Sequence, residues 1–175
     1  MPKKELNVLI YPDKKLRKRS IEIKEITGDL LKFLTVDFYE FMKLRDGVGL
    51  AAPQTGIFED FFVMDTSITE GGVKRIVINP KINSRSPDKI VYQEGCLSVP
   101  DIFADVERPK EIEVEYINGN GEKIRETLRG MNAVVFQHEY DHLMGILFID
   151  RLSETEYMKI KPLLKELAGK NGKKH

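Results

Sequence analysis

The chain has 175 residues, enough for one domain that buries about two thirds of its unfolded surface and needs no covalent staple. Its 28 basic and 28 acidic side chains cancel, so the charge balance calls for neither nucleic acid nor an anionic membrane. Hydrophobic residues make up 41%, no apolar run approaches the roughly 20 residues of a membrane helix, and MPKKELNVLIYP does not resemble a signal peptide, which together predict a cytoplasmic protein.

No repeat, low-complexity block or linker divides the sequence, so residues 1–168 are expected to form a single domain. GKNGKKH, residues 169–175, is expected to be a flexible tail that leaves His175 outside any site. Thr27 or Asp29 can cap a first helix with Leu30, Leu34, Phe38 and Phe41 on one stripe, ending near Asp46-Gly47. GVGLAAPQTG follows, where Gly47, Gly49 and Pro53 predict a loop whose backbone approaches something closely. FFVM and RIVIN, at 61–64 and 75–79, are short apolar runs that predict buried strands. Ile112, Val114 and Tyr116 alternate with Glu111, Glu113 and Glu115, and NGNG turns the chain into EKIRETL, which predicts a hairpin with one wet face.

From about Asn132 to Leu143 the period is helical again, with Gly145 placed to end it. ILFI at 146–149 predicts a returning strand. Ser153 and Glu156 predict a capping box opening a last helix with Tyr157, Ile160, Leu164 and Leu167 on one stripe, kinked or restarted at Pro162. These elements predict an α+β domain and not an alternating βαβ sheet.

Two of the chain's three histidines stand in QHEYDHLMG, residues 137–145. Four residues along a helix turn the chain by about 400°, so His138 and His142 share a face at a separation suited to one metal ion. Glu139 is rotated by about 100° from His138 and can handle a water bound there. Met131, Val134 and Val135 lie on the same stripe, so the face points into apolar surroundings where imidazoles need partners. A catalytic ion wants three protein ligands and one open position. Glu154 or Glu156 would serve in an ordinary HExxH zinc endopeptidase, but both fall in the capping sequence of the last helix. Cys96, in QEGCLSVP, is the other candidate for third ligand. A lone cysteine is more often an inert small apolar residue. If Cys96, His138 and His142 share a divalent ion, bound water becomes hydroxide near neutral pH, Glu139 carries its proton, and the result is a hydrolase for a carbonyl compound. The Gln54 amide and the backbone N–H after Cys96 are candidate oxyanion donors.

GVGLAAPQ at 47–54, EGCLS at 94–98 and QHEYDHLMG at 137–145 together resemble the peptide deformylase family, in its order and spacing. The resemblance implies removal of the formyl group from the N-terminal formylmethionine of newly made proteins by one catalytic domain. It implies a metal on Cys96, His138 and His142, Glu139 as general acid and base, and Gln54 and the Leu97 N–H as oxyanion donors. Gly49 would pair with the substrate backbone as if adding a strand. The implied fold is α+β, with antiparallel strands packed around a central motif-bearing helix and helices towards both ends. The implied ion is ferrous iron, with zinc, nickel or cobalt as other occupants. The implied partners are N-formylmethionyl nascent peptides, with a transient ribosome contact compatible with that substrate, and the sequence carries no signal for an oligomer. Val48, Tyr92, Met131, Val134 and Val135 are candidates for the methionine pocket, from helical spacing and position relative to the motifs. Glu94 and Arg108 are a candidate ion pair bracing the Cys96 segment, with a surface role for Arg108 as the alternative. Three other readings compete: the zinc endopeptidase, a cysteine hydrolase with Cys96 as nucleophile, and a non-catalytic metal-stabilised binding module.

Overall fold

The computed structural model describes residues 6–69 and 71–171. The first helical region runs from α1 (Gly28–Lys32) through a π-helical stretch (Phe33–Phe38) into α2 (Tyr39–Lys43). The Thr27 side chain accepts from Leu30 N and caps it. The buried stripe is Leu30, Leu34, Phe38 and Met42, not Phe41, which is only partly buried. A constant spacing of four is wider than an α-helix tolerates over three turns, and the wider π turns absorb the difference.

Among the described residues seven strands follow: β1 (Gly49–Ala51), β2 (Phe61–Asp65), β3 (Lys74–Arg85), β4 (Lys89–Cys96), β5 (Val99–Pro109), β6 (Glu111–Ile117) and β7 (Lys123–Arg129). They form a five-stranded antiparallel sheet in the order β1-β2-β3-β6-β7 and a two-stranded antiparallel sheet, β4-β5. The stretch predicted as a loop from Gly47 to Gly56 instead gives β1 and a 3-10 turn, Ala52–Thr55. β1 is too short and too rich in glycine to read as a strand, and its pairing with β2 is what makes it one. The predicted hairpin is β6-β7, with Ile112, Val114 and Tyr116 buried and the glutamates between them partly exposed.

The motif-bearing helix α3 (Gly130–Leu143) packs on one face of the large sheet, and the first helical region packs on the other. Strand β2 is therefore buried on both faces, Phe62 and Met64 toward α3 and Phe61 and Val63 toward the first helices. This explains why FFVM reads as an unbroken apolar run. A third core joins β5 to α4 (Glu154–Asn171) through Val99, Ile102, Ala104, Val106, Ile160 and Leu164. ILFI is not a strand: Phe148–Asp150 form a 3-10 turn, because Leu147, Phe148 and Ile149 plug the β5–α4 core at a corner. Helix α4 runs through Pro162 without restarting, with buried Ile160 and Leu164 on either side holding its halves to the same core. It also extends over Gly169, Lys170 and Asn171, the first residues of the predicted tail, where Asn171 Nδ2 donates to the Leu167 carbonyl. The remainder of that tail, His175 included, lies outside the described residues. Only the Ser153 half of the predicted capping box forms: Ser153 Oγ accepts from Glu156 N, while the Glu156 carboxylate turns to Lys159. Among the described residues no helix is long and apolar enough to cross a membrane.

Candidate metal centre

Strand β4 ends at Cys96, and a tight turn through Leu97 and Ser98 returns the chain as β5. Helix α3 passes this turn with His138 and His142 facing it. The imidazole centroids are 5.0 Å apart, as one helical turn dictates. Cys96 Sγ lies 3.3 Å from His142 Nε2, and one ligand atom from each of Cys96, His138 and His142 falls within 4.8 Å of the others. Both histidines are buried and Cys96 is half-buried. Glu154 and Glu156 stay on α4, so the endopeptidase alternative loses its third ligand.

His138 Nδ1 lies 2.8 Å from Glu94, which fixes the ring and leaves its other nitrogen for a ligand. Arg108, only 4% exposed, holds Glu94 with two hydrogen bonds, so the surface role considered for it does not apply. Burial pushes the Glu94 carboxyl up, but Arg108 and His138 outweigh it and hold the pKa at about 2. The imidazoles are driven apart. Burial pushes His138 down, yet Cys96 and Glu94 hold it well above the ordinary histidine value, whereas burial and repulsion from His138 push His142 well below it. One thiolate and two imidazoles converging in this way form a donor set that fits a divalent transition-metal ion.

Glu139 completes the centre. Burial raises its pKa to about 7, and its Oε2 is buried without a hydrogen-bond partner among the described residues. Such an atom, beside converging metal donors, fits a group that handles a proton there. The carboxylate packs against Gly49 so closely that any Cβ at that position would collide with it. Gln54 Oε1 accepts from Ala51 N at 2.8 Å, which orients the amide and aims Nε2 at Cys96 Sγ, 3.4 Å away, and at Ser98 Oγ, 3.2 Å away.

These groups open on a cavity of about 540 Å³. Val48, Tyr92, Met131, Val134 and Val135 all line it, together with Gly49, Gln54, Leu97 and Glu139. Val135 also belongs to the core between α3 and the large sheet, so it serves both. Tyr92 Oη meets Met131 Sδ at 3.6 Å across the cavity wall. Sequence reasoning missed Ser98, Asp141 and Arg151. Asp141 was within reach, since it lies three residues after His138 and so shares that side of the helix.

The family described as Polypeptide deformylase matches residues 5–158. The peptide deformylase of Pseudothermotoga lettingae is 42% identical over 166 residues, covering 95% of this chain and 94% of that one. That of Thermotoga maritima is 44% identical over 162 residues, with 92% and 95% covered. A plant peptide deformylase crystal structure superposes with a TM-score of 0.91 at 33% identity, over 99% of this chain and 95% of that one. The likeness spans the sheets, the three-part site and the helix that carries it, and the chain belongs to the polypeptide deformylase family.

Proposed function

We propose that this chain, as one catalytic domain over residues 1–168, hydrolyses the formyl group from N-formylmethionyl peptides, leaving formate and a free amino terminus. The observation that carries the reading is the Glu139 oxygen, buried and without a hydrogen-bond partner among the described residues, beside the converging Cys96, His138 and His142 donors. A divalent ion on those three side chains supplies Lewis acidity toward water and toward a carbonyl oxygen.

The chain's own groups do the rest. Water adds through its oxygen to the formyl carbon, and the proton it gives up goes to Glu139. With its pKa raised to about 7, Glu139 is suited both to take that proton and to pass it on. Cleavage of the carbon–nitrogen bond then delivers the proton to the departing amine. Gln54 Nε2 and the Leu97 N–H in the β4–β5 turn are the donors assigned to the developing oxyanion. β1 is an edge strand of the large sheet, so Gly49 can take an extended peptide as an added strand. Val48, Tyr92, Met131, Val134 and Val135 are assigned to the methionine side chain, whose burial contributes about 1.5–3 kcal/mol.

Glu139→Ala tests the assignment on formyl-Met peptides. Turnover is expected to fall by at least about 10²-fold with metal content retained. Unchanged turnover would return the chain to a metal-stabilised binding module. Ferrous iron is the proposed ion, on the family likeness, with zinc, nickel and cobalt as alternative occupants of the same donors. Iron beside a thiolate is open to oxidation, so the iron form is expected to lose activity in air while the nickel form persists. Equal lifetimes would remove iron as the working metal. Substrate of this kind is supplied where formylated chains leave the ribosome, so a cytoplasmic location and a transient ribosome contact belong to the same proposal.

A further inference from the structure

Five side chains from four segments form an unbroken line of hydrogen-bonded charges from the protein surface to the candidate metal centre. His138 Nδ1 meets Glu94 at 2.8 Å. Glu94 accepts from Arg108 Nε and Nη2 at 2.5 and 2.9 Å. Arg108 Nη1 donates to Asp141 Oδ2 at 2.9 Å. Asp141 in turn accepts from Arg151 Nε at 3.1 Å and from Arg151 Nη2 at 2.6 Å. His138, Glu94, Arg108 and Asp141 are buried, whereas the Arg151 side chain is 46% exposed. The line ties α3 to β4, to β5 and to the segment that follows the 3-10 turn.

Two carboxylates meet two guanidiniums, so the four charges along the line cancel. Arg108 and Arg151 share a single oxygen of Asp141, Oδ2. Without Arg151, two buried carboxylates would compete for Arg108 alone. A buried charge that loses its partner is costly, so Arg108 would be drawn toward Asp141 at the expense of Glu94. Glu94 is the group that aims the His138 imidazole, and its loosening passes directly to that ring.

We propose that Arg151 is a positioning residue for the metal centre, acting through Asp141, Arg108 and Glu94 on His138. The proposal rests on the reading of Cys96, His138 and His142 as ligands. A clamp that served only the corner between α3 and α4 would change thermal stability and leave the metal affinity of the folded protein alone.

The test is titration of the metal-free full chain with cobalt(II) against a competing chelator, with folding checked by far-ultraviolet circular dichroism. Arg151→Gln is expected to bind cobalt at least about tenfold more weakly than the parent. Arg151→Lys restores the charge with a single prong and is expected to fall between the two. Arg125→Gln, which breaks an exposed pair with Glu113 on the β6-β7 hairpin, should match the parent. Parental affinity in Arg151→Gln overturns the proposal, as does a loss that Arg151→Lys does not lessen. If Arg151→Gln does not fold, Arg151→Lys carries the test: weaker binding than Arg125→Gln supports the proposal and equal binding overturns it. Thiolate-to-cobalt absorption in the parent separates the two levels. Its absence sinks the ligand assignment itself, whereas its presence with unchanged variant affinity sinks only the role of Arg151.

Discussion

Glu139 and Gly49 show how little space the chemistry leaves. The carboxylate rests against the Gly49 backbone where a side chain would otherwise begin, so the glycine is required by close approach and not by an unusual backbone angle. Gly49→Ala should fold, because β1 keeps its pairing with β2, but its methyl group must push Glu139 aside. Displacement of about 1 Å can cost up to 10²-fold, so turnover on formyl-Met peptides is expected to drop at least about tenfold. Steady-state kinetics together with a circular dichroism spectrum checks this, and parental turnover would mean that Glu139 has another place to stand. The sequence predicts that the backbone at Gly49 approaches something closely and, through the family resemblance, that it pairs with substrate, but not that Glu139 is what it approaches. That a residue 90 positions later occupies its missing Cβ is a property of packing, which no local pattern encodes.

At the scale of elements, Asp65 fastens the end of β2 to the first helices. It accepts from Tyr39 Oη at 2.5 Å, from Ser67 Oγ at 2.5 Å and N at 3.0 Å, and pairs with Lys43 at 3.4 Å. Hydrogen bonds from Ser67, then from Tyr39, hold its carboxyl well below the usual aspartate range against the opposing effect of burial. A carboxyl depressed in the folded state contributes stability that is complete above its unfolded pKa of about 3.9 and disappears as the pH falls below that. Asp65→Asn is therefore expected to cost about 1–3 kcal/mol at neutral pH and to flatten the loss of stability below about pH 4. Urea midpoints across pH on the metal-free protein measure both, and parallel profiles would show that Asp65 contributes nothing to the acid limb. The elements themselves were unequally legible. The β6-β7 hairpin and α3 carry their periods in adjacent residues, so both were readable. The choice of Met42 over Phe41 followed from a π-helical stretch that only packing against Phe61 and Leu50 selects, and ILFI, apolar enough for a strand, was used as a plug.

Across the whole molecule, the centre lies where the β4-β5 sheet meets α3, which itself packs on the large sheet. An ion on Cys96, His138 and His142 would therefore join two separately packed parts. Metal is expected to raise the unfolding temperature, since a ligand of the native state at about 100 times its Kd adds about 2.7 kcal/mol. Cys96→Ser should lose most of that rise while its metal-free form unfolds close to the metal-free parent. A full metal-induced rise in Cys96→Ser, measured by calorimetry with and without chelator, would take Cys96 out of the ligand set. By itself the sequence determined what lies within one helical turn or one hairpin: the shared face of His138 and His142, the place of Glu139 beside them, and the alternation of β6. It also supplied the three motifs that mark the family. Only the tertiary structure decided that Cys96 stands 3.3 Å from His142, that Glu139 fills the space beside Gly49, and that Glu94, Arg108, Asp141 and Arg151 form one line. Local periodicity fixes the direction of a side chain along its own element, whereas contacts between remote segments are set by how three apolar cores pack together.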